Sequence, residues 1–516
     1  MKTRVWLVGR DGWSGVSLTV LLAAALTAAA CAKTPTARSL VLDAVTAMGG
    51  DKLRAVKTIT MKGGAGTREQ LQESQHVGDP EKPGTLANVV EIVDLAGGRA
   101  SMNYEIDNDG FKQHRHEVLT SRGGKPVGVE YVDPRPVVAT SPGGLFSWGT
   151  QNNPMVTLRR HPVAMLLAAA DAAADTAPVD DKEFNGVMAK HTTVRTAAGD
   201  ELSLYFDPQQ RFLMGVETTD TEALAGDVPA QYSFSDFKAV DGVTLPHTIT
   251  ITKGGKNYSA VTFESAIVND PAIEKEFEIP EAASKQADEA IAAGEFSPVA
   301  LVKMADGVYF ARAYSHNSLV VEFPSGLTVV EAPYTDAQSA TLVRVLKAQF
   351  PDKPIRYVAV THHHSDHIGG VRGLAATGAT VLVEKGHEVP LRTILESHHT
   401  HPVDELERKR SAGEKVGAID VYEGRKTITD GRQTLELLAF TGSPHADPMV
   451  LAYVTGPKIL FQSDLWFPGT GGTGNPAAKQ LLDSIHKLNL KPATNAGGHG
   501  GVAPFAELEK AIAAMK

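Results

Sequence analysis

Apolar and polar positions alternate with a period of two through much of the first half of the chain. Leu202, Leu204 and Phe206 alternate with polar neighbours, Asp207-Pro208-Gln209-Gln210 supplies a turn, and 212–217 returns, which predicts a hairpin of half-buried strands. The pattern recurs at 232–237, 248–252 and 258–263, with turns at Asp241-Gly242 and Gly254-Gly255. Two helices interrupt it. One covers 39–48 and stops at Gly49-Gly50, where glycine takes the left-handed conformation that ends a helix; the other covers 163–170 after Pro162. Residues 39–280 are therefore expected to form one curved antiparallel sheet with few helices.

Residues 281–295, rich in Ala, Glu, Lys and Gln, read as a helical or flexible linker. From 296 onward strands alternate with helices. Strands are expected at 319–323 and 327–330, then a helix with a capping-box start, Thr335-x-x-Gln338, an apolar face of Leu342, Val345, Leu346 and Phe350, and a stop at Pro351. A buried strand at 357–360 follows and delivers the chain into its most informative residues.

That strand runs into Thr361-His362-His363-His364-Ser365-Asp366-His367-Ile368-Gly369-Gly370, an H-x-H-x-D-H pattern at a strand end. With 18 histidines in 516 residues, chance places this pattern in about one chain of this length in a thousand, so a solvated histidine loop is a poor account of it. His362 and His364 are two apart, so in an extended segment they share a side and can share one metal ion. Asp366 and His367 follow a turn and can face a second ion. Imidazole nitrogens with a carboxylate suit zinc, and less selectively iron or manganese. His363 points the other way, so packing or support is expected of it. His387, His398, His399 and His401 read as solvated loop residues.

The motif resembles that of the metallo-β-lactamase superfamily, closest to the glyoxalase II wording T-H-H-H-x-D-H-x-G-G. The resemblance extends to His445 in Phe440-Thr441-Gly442-Ser443-Pro444-His445, to Asp464 after the apolar run 459–461, and to His499 in Gly497-Gly498-His499-Gly500. It implies that His362, His364 and His445 hold one divalent ion, that Asp366, His367 and His499 hold a second, and that Asp464 bridges both. It also implies zinc as the metal, hydrolysis by a metal-held hydroxide, and Asp366 as the group that orients this hydroxide and accepts its proton. Glu331 stands where many relatives carry an Asp that supports the metal-binding loop. Asp464 stands where one large group of true lactamases has cysteine, which argues against that group. The short stretch 500–516 after His499 argues against a glutathione thioester substrate.

The region 39–280 resembles the open half-barrels of bacterial lipoprotein carriers, in phrases such as Asp241-Gly242-Val243-Thr244-Leu245-Pro246. The resemblance implies a possible lipid on that sheet. A sheet that only packs on the second domain is the plain alternative. The expected fold class is thus α+β in two domains: an N-terminal curved antiparallel β-sheet, half-barrel-like, over 39–280, and a C-terminal αββα metallo-β-lactamase-like sandwich over 296–516.

Composition narrows the partners. At 42% hydrophobic and 21% charged residues the chain is neither disordered nor a multi-span membrane protein. Fifty basic against sixty acidic residues give a net charge of −10, which argues against nucleic acid as a partner and leaves a small-molecule substrate. The single cysteine, Cys31, excludes a disulfide framework. It follows Lys2, Arg4 and Arg10 and an apolar run at 16–30, a secretory signal layout too short to span a bilayer comfortably. Leu26-Thr27-Ala28-Ala29-Ala30-Cys31 resembles a bacterial lipobox, although Ala28 replaces its usual leucine. An exported envelope protein anchored through acylated Cys31 is expected, and plain cleavage near Ala30-Cys31-Ala32, which would leave a soluble periplasmic protein, is the alternative. Two function classes remain: an exported dizinc hydrolase acting on an ester, lactone, amide or related bond, and an envelope lipid- or ligand-binding lipoprotein whose metal site is inert or structural.

Overall fold

A computed structural model describes residues 35–69, 74–79, 82–108, 110–122, 125–132, 135–141, 158–222, 224–281, 284–285, 288–289, 292, 299–313, 316–401, 403–471 and 474–515. The segment 1–31 with Cys31 lies outside them, as does most of 281–295.

Among the described residues the first half is one antiparallel sheet of fourteen strands. One meander runs from Thr58–Arg68 through Gly84–Asp94, Arg99–Asn108, Phe111–Arg122 and Lys125–Val132 to an edge at Arg135–Ser141. The other runs back from Lys256–Thr262 through Val243–Lys253, Gly226–Val240, Leu213–Glu222, Glu201–Phe206 and Val187–Arg195 to Val179–Phe184. They join where Ala65 faces Thr262 and Arg68 faces Ser259. The predicted turns are present, with positive φ at both Asp241-Gly242 and Gly254-Gly255, the backbone that a two-residue hairpin needs.

Period-two burial explains where the core lies. In Gly226–Val240 the buried side chains are Val228, Ala230, Tyr232 and Phe234, every second residue. Onto that face pack the helices Ala37–Ala47 and Pro162–Ala172, whose Leu40, Val41, Val163 and Leu166 share a core with Leu204, Phe206, Phe234 and Phe263. Thr36 caps the first helix, and the ring of His161 accepts from the backbone N–H of Val163 at the start of the second. Val93, Met102 and Leu119 from one meander, Ile249, Ile251 and Val261 from the other, and Pro162 of the helix line a single cavity of about 210 Å³. Strands this far apart in the order reach one cavity because the sheet curls round the helix.

The second half is an αββα sandwich. One sheet orders Ala300–Ala305, Val308–Arg312, Ser318–Phe323, Gly326–Val330, Ile355–Ala359, Thr380–Glu384 and Ile419–Tyr422, antiparallel up to the fourth strand and parallel after it. The other orders Arg425–Thr429, Thr434–Phe440, Met449–Val454, Ile459–Gln462, Thr494–Gly497 and Val502–Pro504. Phe310, Leu319 and Val321 meet Leu435, Leu437, Val450 and Phe461 between the sheets. Outside the first sheet, Leu342, Leu346, Leu374 and Leu391 of the helices Asp336–Gln349, Val371–Ala375 and Glu388–Glu396 cover Val329, Val358 and Val381. Outside the second, Leu481, Ile485 and Leu508 of Pro476–Lys487 and Phe505–Ala513 cover Leu451 and Leu460. Strands covered on both faces are apolar throughout, as in Met449–Val454, so their sequence carries no alternation.

Three details differ from the sequence reading. The buried strand is Ile355–Ala359, ending two residues before the motif. The buried face of the helix Asp336–Gln349 uses Val343 rather than Val345. The capping box is half formed. Thr335 Oγ1 accepts from the Gln338 N–H at 3.2 Å, but the Gln338 amide donates to the His316 carbonyl at 3.1 Å instead of turning back on the cap.

Candidate metal centre

Four strands of the sandwich end at one rim. Beyond Ile355–Ala359 lie His362, His364, Asp366 and His367, beyond Thr434–Phe440 lies His445, beyond Ile459–Gln462 lies Asp464, and beyond Thr494–Gly497 lies His499. The structure brings all seven predicted side chains together in two overlapping groups. His362, His364, His445 and Asp464 each present a donor atom within 4.8 Å of the others, and so do Asp366, His367 and His499. Asp464 joins the halves. Its Oδ2 is 2.9 Å from His445 Nε2, 3.6 Å from His362 Nε2 and 3.0 Å from His367 Nε2, while its Oδ1 is 2.9 Å from His499 Nε2.

Glu331 is fully buried and takes the supporting position expected of it. One carboxylate oxygen accepts from His367 Nδ1, and the other accepts from the backbone N–H of Thr361 at 3.0 Å and from its hydroxyl. Having donated its only proton to Glu331, the Thr361 hydroxyl accepts from His362 Nδ1 at 3.0 Å. One carboxylate therefore engages the Nδ1 side of two histidines, His367 directly and His362 through Thr361, and turns both Nε2 atoms toward the centre. The backbone is held at positive φ at Glu331, Tyr334 and Asp464, unusual for residues with a Cβ.

Electrostatics agree with the geometry. Burial, aided by the neighbouring histidines, holds His362 and His364 well below the usual imidazole range, so both are neutral ligands in waiting. Burial opposes ionisation of Asp366 and Asp464, but His367 beside them outweighs it and keeps both carboxyls well below their usual range. The residues fit a metal ion. His362 Nε2 and His445 Nε2 face each other at 3.1 Å, close to the roughly 3.3 Å expected between two ligands of a tetrahedral ion with bonds of about 2.0 Å. His364 Nδ1 is buried with no hydrogen-bond partner.

His316 was not singled out by the sequence reading. Its Nε2 donates to Asp366 Oδ2 at 2.9 Å, and its ring lies 4.0 Å from that of His499, completing a group with Asp366, His367 and His499. Burial, with His499 next to it, lowers its pKa to about 3. A lone histidine in the turn before Ser318–Phe323 carries no spacing signal, so only the fold could bring it in.

A match to the family model described as the metallo-beta-lactamase superfamily covers residues 311–499. These residues form a metallo-β-lactamase superfamily domain. An alkyl/aryl-sulfatase of Saccharomyces cerevisiae is 33% identical over 75 residues, 14% of this chain and 12% of that protein. A type 2 metallo-β-lactamase of Bacillus cereus is 24% identical over 154 residues, 30% of this chain and 52% of that one. The chain thus spans about half, or much less, of the length of these curated relatives. A solved metallo-β-lactamase of Hirschia baltica is 22% identical, with 42% of this chain and 97% of that one aligned at a TM-score of 0.31.

The remaining histidines of the metallo-β-lactamase domain lie outside the cluster. His363 is buried and packs on His387, with ring centroids 5.6 Å apart. The sequence reading of His387 and His399 as solvated is corrected, because both are buried, His387 fully and His399 beside Ser397. His398 and His401 are exposed, as expected.

Proposed function

We propose that the metallo-β-lactamase domain is a hydrolase that works with two divalent ions, zinc by preference of its donor set, on an ester, lactone, amide or related bond. His362, His364 and His445 would hold the first ion, Asp366, His367 and His499 the second, and Asp464 both. The observation that carries this reading is Asp464, whose Oδ2 lies between His445 of the first group and His367 of the second while its Oδ1 faces His499, so that one carboxylate reaches both groups. When bound, such a pair of ions supplies a water acidic enough to attack at neutral pH and polarises the oxygen of the scissile group. Asp366 is the proton acceptor. Its ionised Oδ2 sits among His316, His367 and His499, which keep it charged and oriented for a water lying between the groups.

The test is elemental analysis of purified protein together with turnover of lactam, lactone, thioester, phosphate ester and sulfate ester substrates, before and after chelation. Sulfate esters belong in the panel because of the similarity to an alkyl/aryl-sulfatase. Two metal equivalents and activity lost on chelation are expected, with Asp366→Asn lowering turnover by about 10²- to 10⁴-fold. Full turnover in Asp366→Asn would count against the assignment.

The cavity in the first domain, where apolar side chains meet Arg68, Glu91, Glu117, Arg160 and Lys253, favours a second reading, in which the chain is an envelope lipid- or ligand-binding protein with an inert or structural metal site. Lipid recovered by solvent extraction, together with no turnover of any substrate, would support it. Export and acylation at Cys31 are proposed from the pattern of residues 1–31 alone. Mass spectrometry of the mature amino terminus separates a lipidated Cys31 from plain cleavage near Ala30-Cys31-Ala32.

A further inference from the structure

The hairpin loop 69–83 connects Arg68 and Gly84, which pair directly in the N-terminal sheet. Its described part, 74–79, folds on itself: the Ser74 hydroxyl donates to the His76 carbonyl at 2.9 Å and the Asp79 N–H to the same carbonyl at 3.1 Å. This segment reaches the rim of the other domain. The Ser74 carbonyl lies 3.0 Å from His363 Nε2 and 3.3 Å from His364 Nε2. A carbonyl only accepts, so both rings carry their proton on Nε2. For His364 that leaves Nδ1, buried and without a hydrogen-bond partner, as the nitrogen with a lone pair to offer a cation.

Gln75 continues the contact. Its side-chain amide donates to the Ser443 carbonyl at 2.5 Å, and its backbone carbonyl accepts from the Asp447 N–H at 2.8 Å. Those two bonds straddle His445. Two consecutive residues of the first domain therefore hold both loops that supply the first histidine group, His364 by its tautomer and His445 by its backbone.

We propose that Ser74 and Gln75 are positioning residues of the metal centre, so that the N-terminal domain tunes the affinity of the first metal position. This rests on the two-ion reading. The chemistry is that of an outer hydrogen-bond partner, which orients a ligating imidazole and strengthens it as a ligand. Glu331 serves His362 and His367 in this way from within the sandwich, whereas the partner of His364 comes from the other domain.

The experiment replaces 69–83 with Asn-Gly in the full chain, a turn that suits the direct pairing of Arg68 with Gly84, and measures zinc and cobalt binding by chelator competition and visible absorption. Two binding events are expected in the parent. In the loop-replaced protein one of them should weaken by about 10- to 100-fold while the other keeps its affinity. Gln75→Ala, which leaves the hairpin intact, should weaken the same event by a smaller factor, and it decides the matter if the loop replacement loses its cooperative melt. Parent affinity for both ions in the folded variants overturns the proposal. His445→Ala in the otherwise native chain is the control: if it leaves both binding events unchanged, the fault lies with the two-ion reading itself.

Discussion

Glu331 and His367 form a fully buried carboxylate–imidazole pair, with Glu331 accepting from Nδ1 while Nε2 faces Asp464 at 3.0 Å. Because the second Glu331 oxygen takes both donors of Thr361, both oxygens of this side chain are engaged. Glu331→Gln turns one acceptor into an N–H that opposes either His367 or Thr361. Zinc affinity by chelator competition should fall about 10- to 100-fold, with the melting profile of the first domain unchanged. Unchanged affinity would show that the pair plays no part in metal binding.

His316 holds Asp366 from behind, donating to the oxygen that also meets His367. His316→Phe keeps the ring against Tyr334 and His499 but removes the donor. Loss of a hydrogen bond to a charged group costs about 1.5–3 kcal/mol, so turnover should fall by roughly 10- to 100-fold with zinc still bound. Loss of the second zinc equivalent instead would make His316 a ligand rather than a hydrogen-bond donor.

Arg372 is buried to 0% exposure and grips Asp404 with Nε at 2.5 Å and Nη2 at 3.2 Å, while Nη1 donates to the carbonyls of Ile394 and Ser397. It thereby fixes the chain leading to Thr400, whose N–H and hydroxyl donate to Asp227 of the first domain. Arg372→Met leaves Asp404 and two carbonyls without their partner. Urea denaturation should report a loss of about 3–5 kcal/mol.

His161 lies buried beneath the curled sheet, and burial lowers its pKa to about 4 from an ordinary 6.5. The unfolded chain therefore takes up a proton between pH 6.5 and 4 that the folded one refuses. Stability from this group is complete above pH 6.5 and is lost as the pH falls toward 4. His161→Asn keeps a cap at the helix Pro162–Ala172 but does not titrate. Between pH 7.5 and 4.5 the parent should lose about 2–3 kcal/mol relative to this variant. Parallel pH profiles for the two would show that the ring is not held neutral.

The seven residues of the candidate metal centre were legible in the sequence because the short, rare H-x-H-x-D-H motif resembles that of a known superfamily, and the resemblance pointed to His445, Asp464 and His499 in order. The strands 201–206 and 243–253 were legible for another reason: one face of each meets a core, so burial wrote a period of two into the residues. His316, Ser74 and Gln75 carried no such mark. Each acts through contacts with residues 50 or more positions away, such as His316 with Asp366 and Ser74 with His363, and isolated hydrogen bonds of that kind leave no periodicity behind. The chain alone thus determined the alternation of its half-buried strands and, through the family resemblance, the candidate ligand set and its order. Only the folded molecule decided which nitrogen of each imidazole faces the centre, and that a carbonyl of the first domain sets it for His364, because a tautomer depends on the partner at the far side of the ring and not on the identity of the residue.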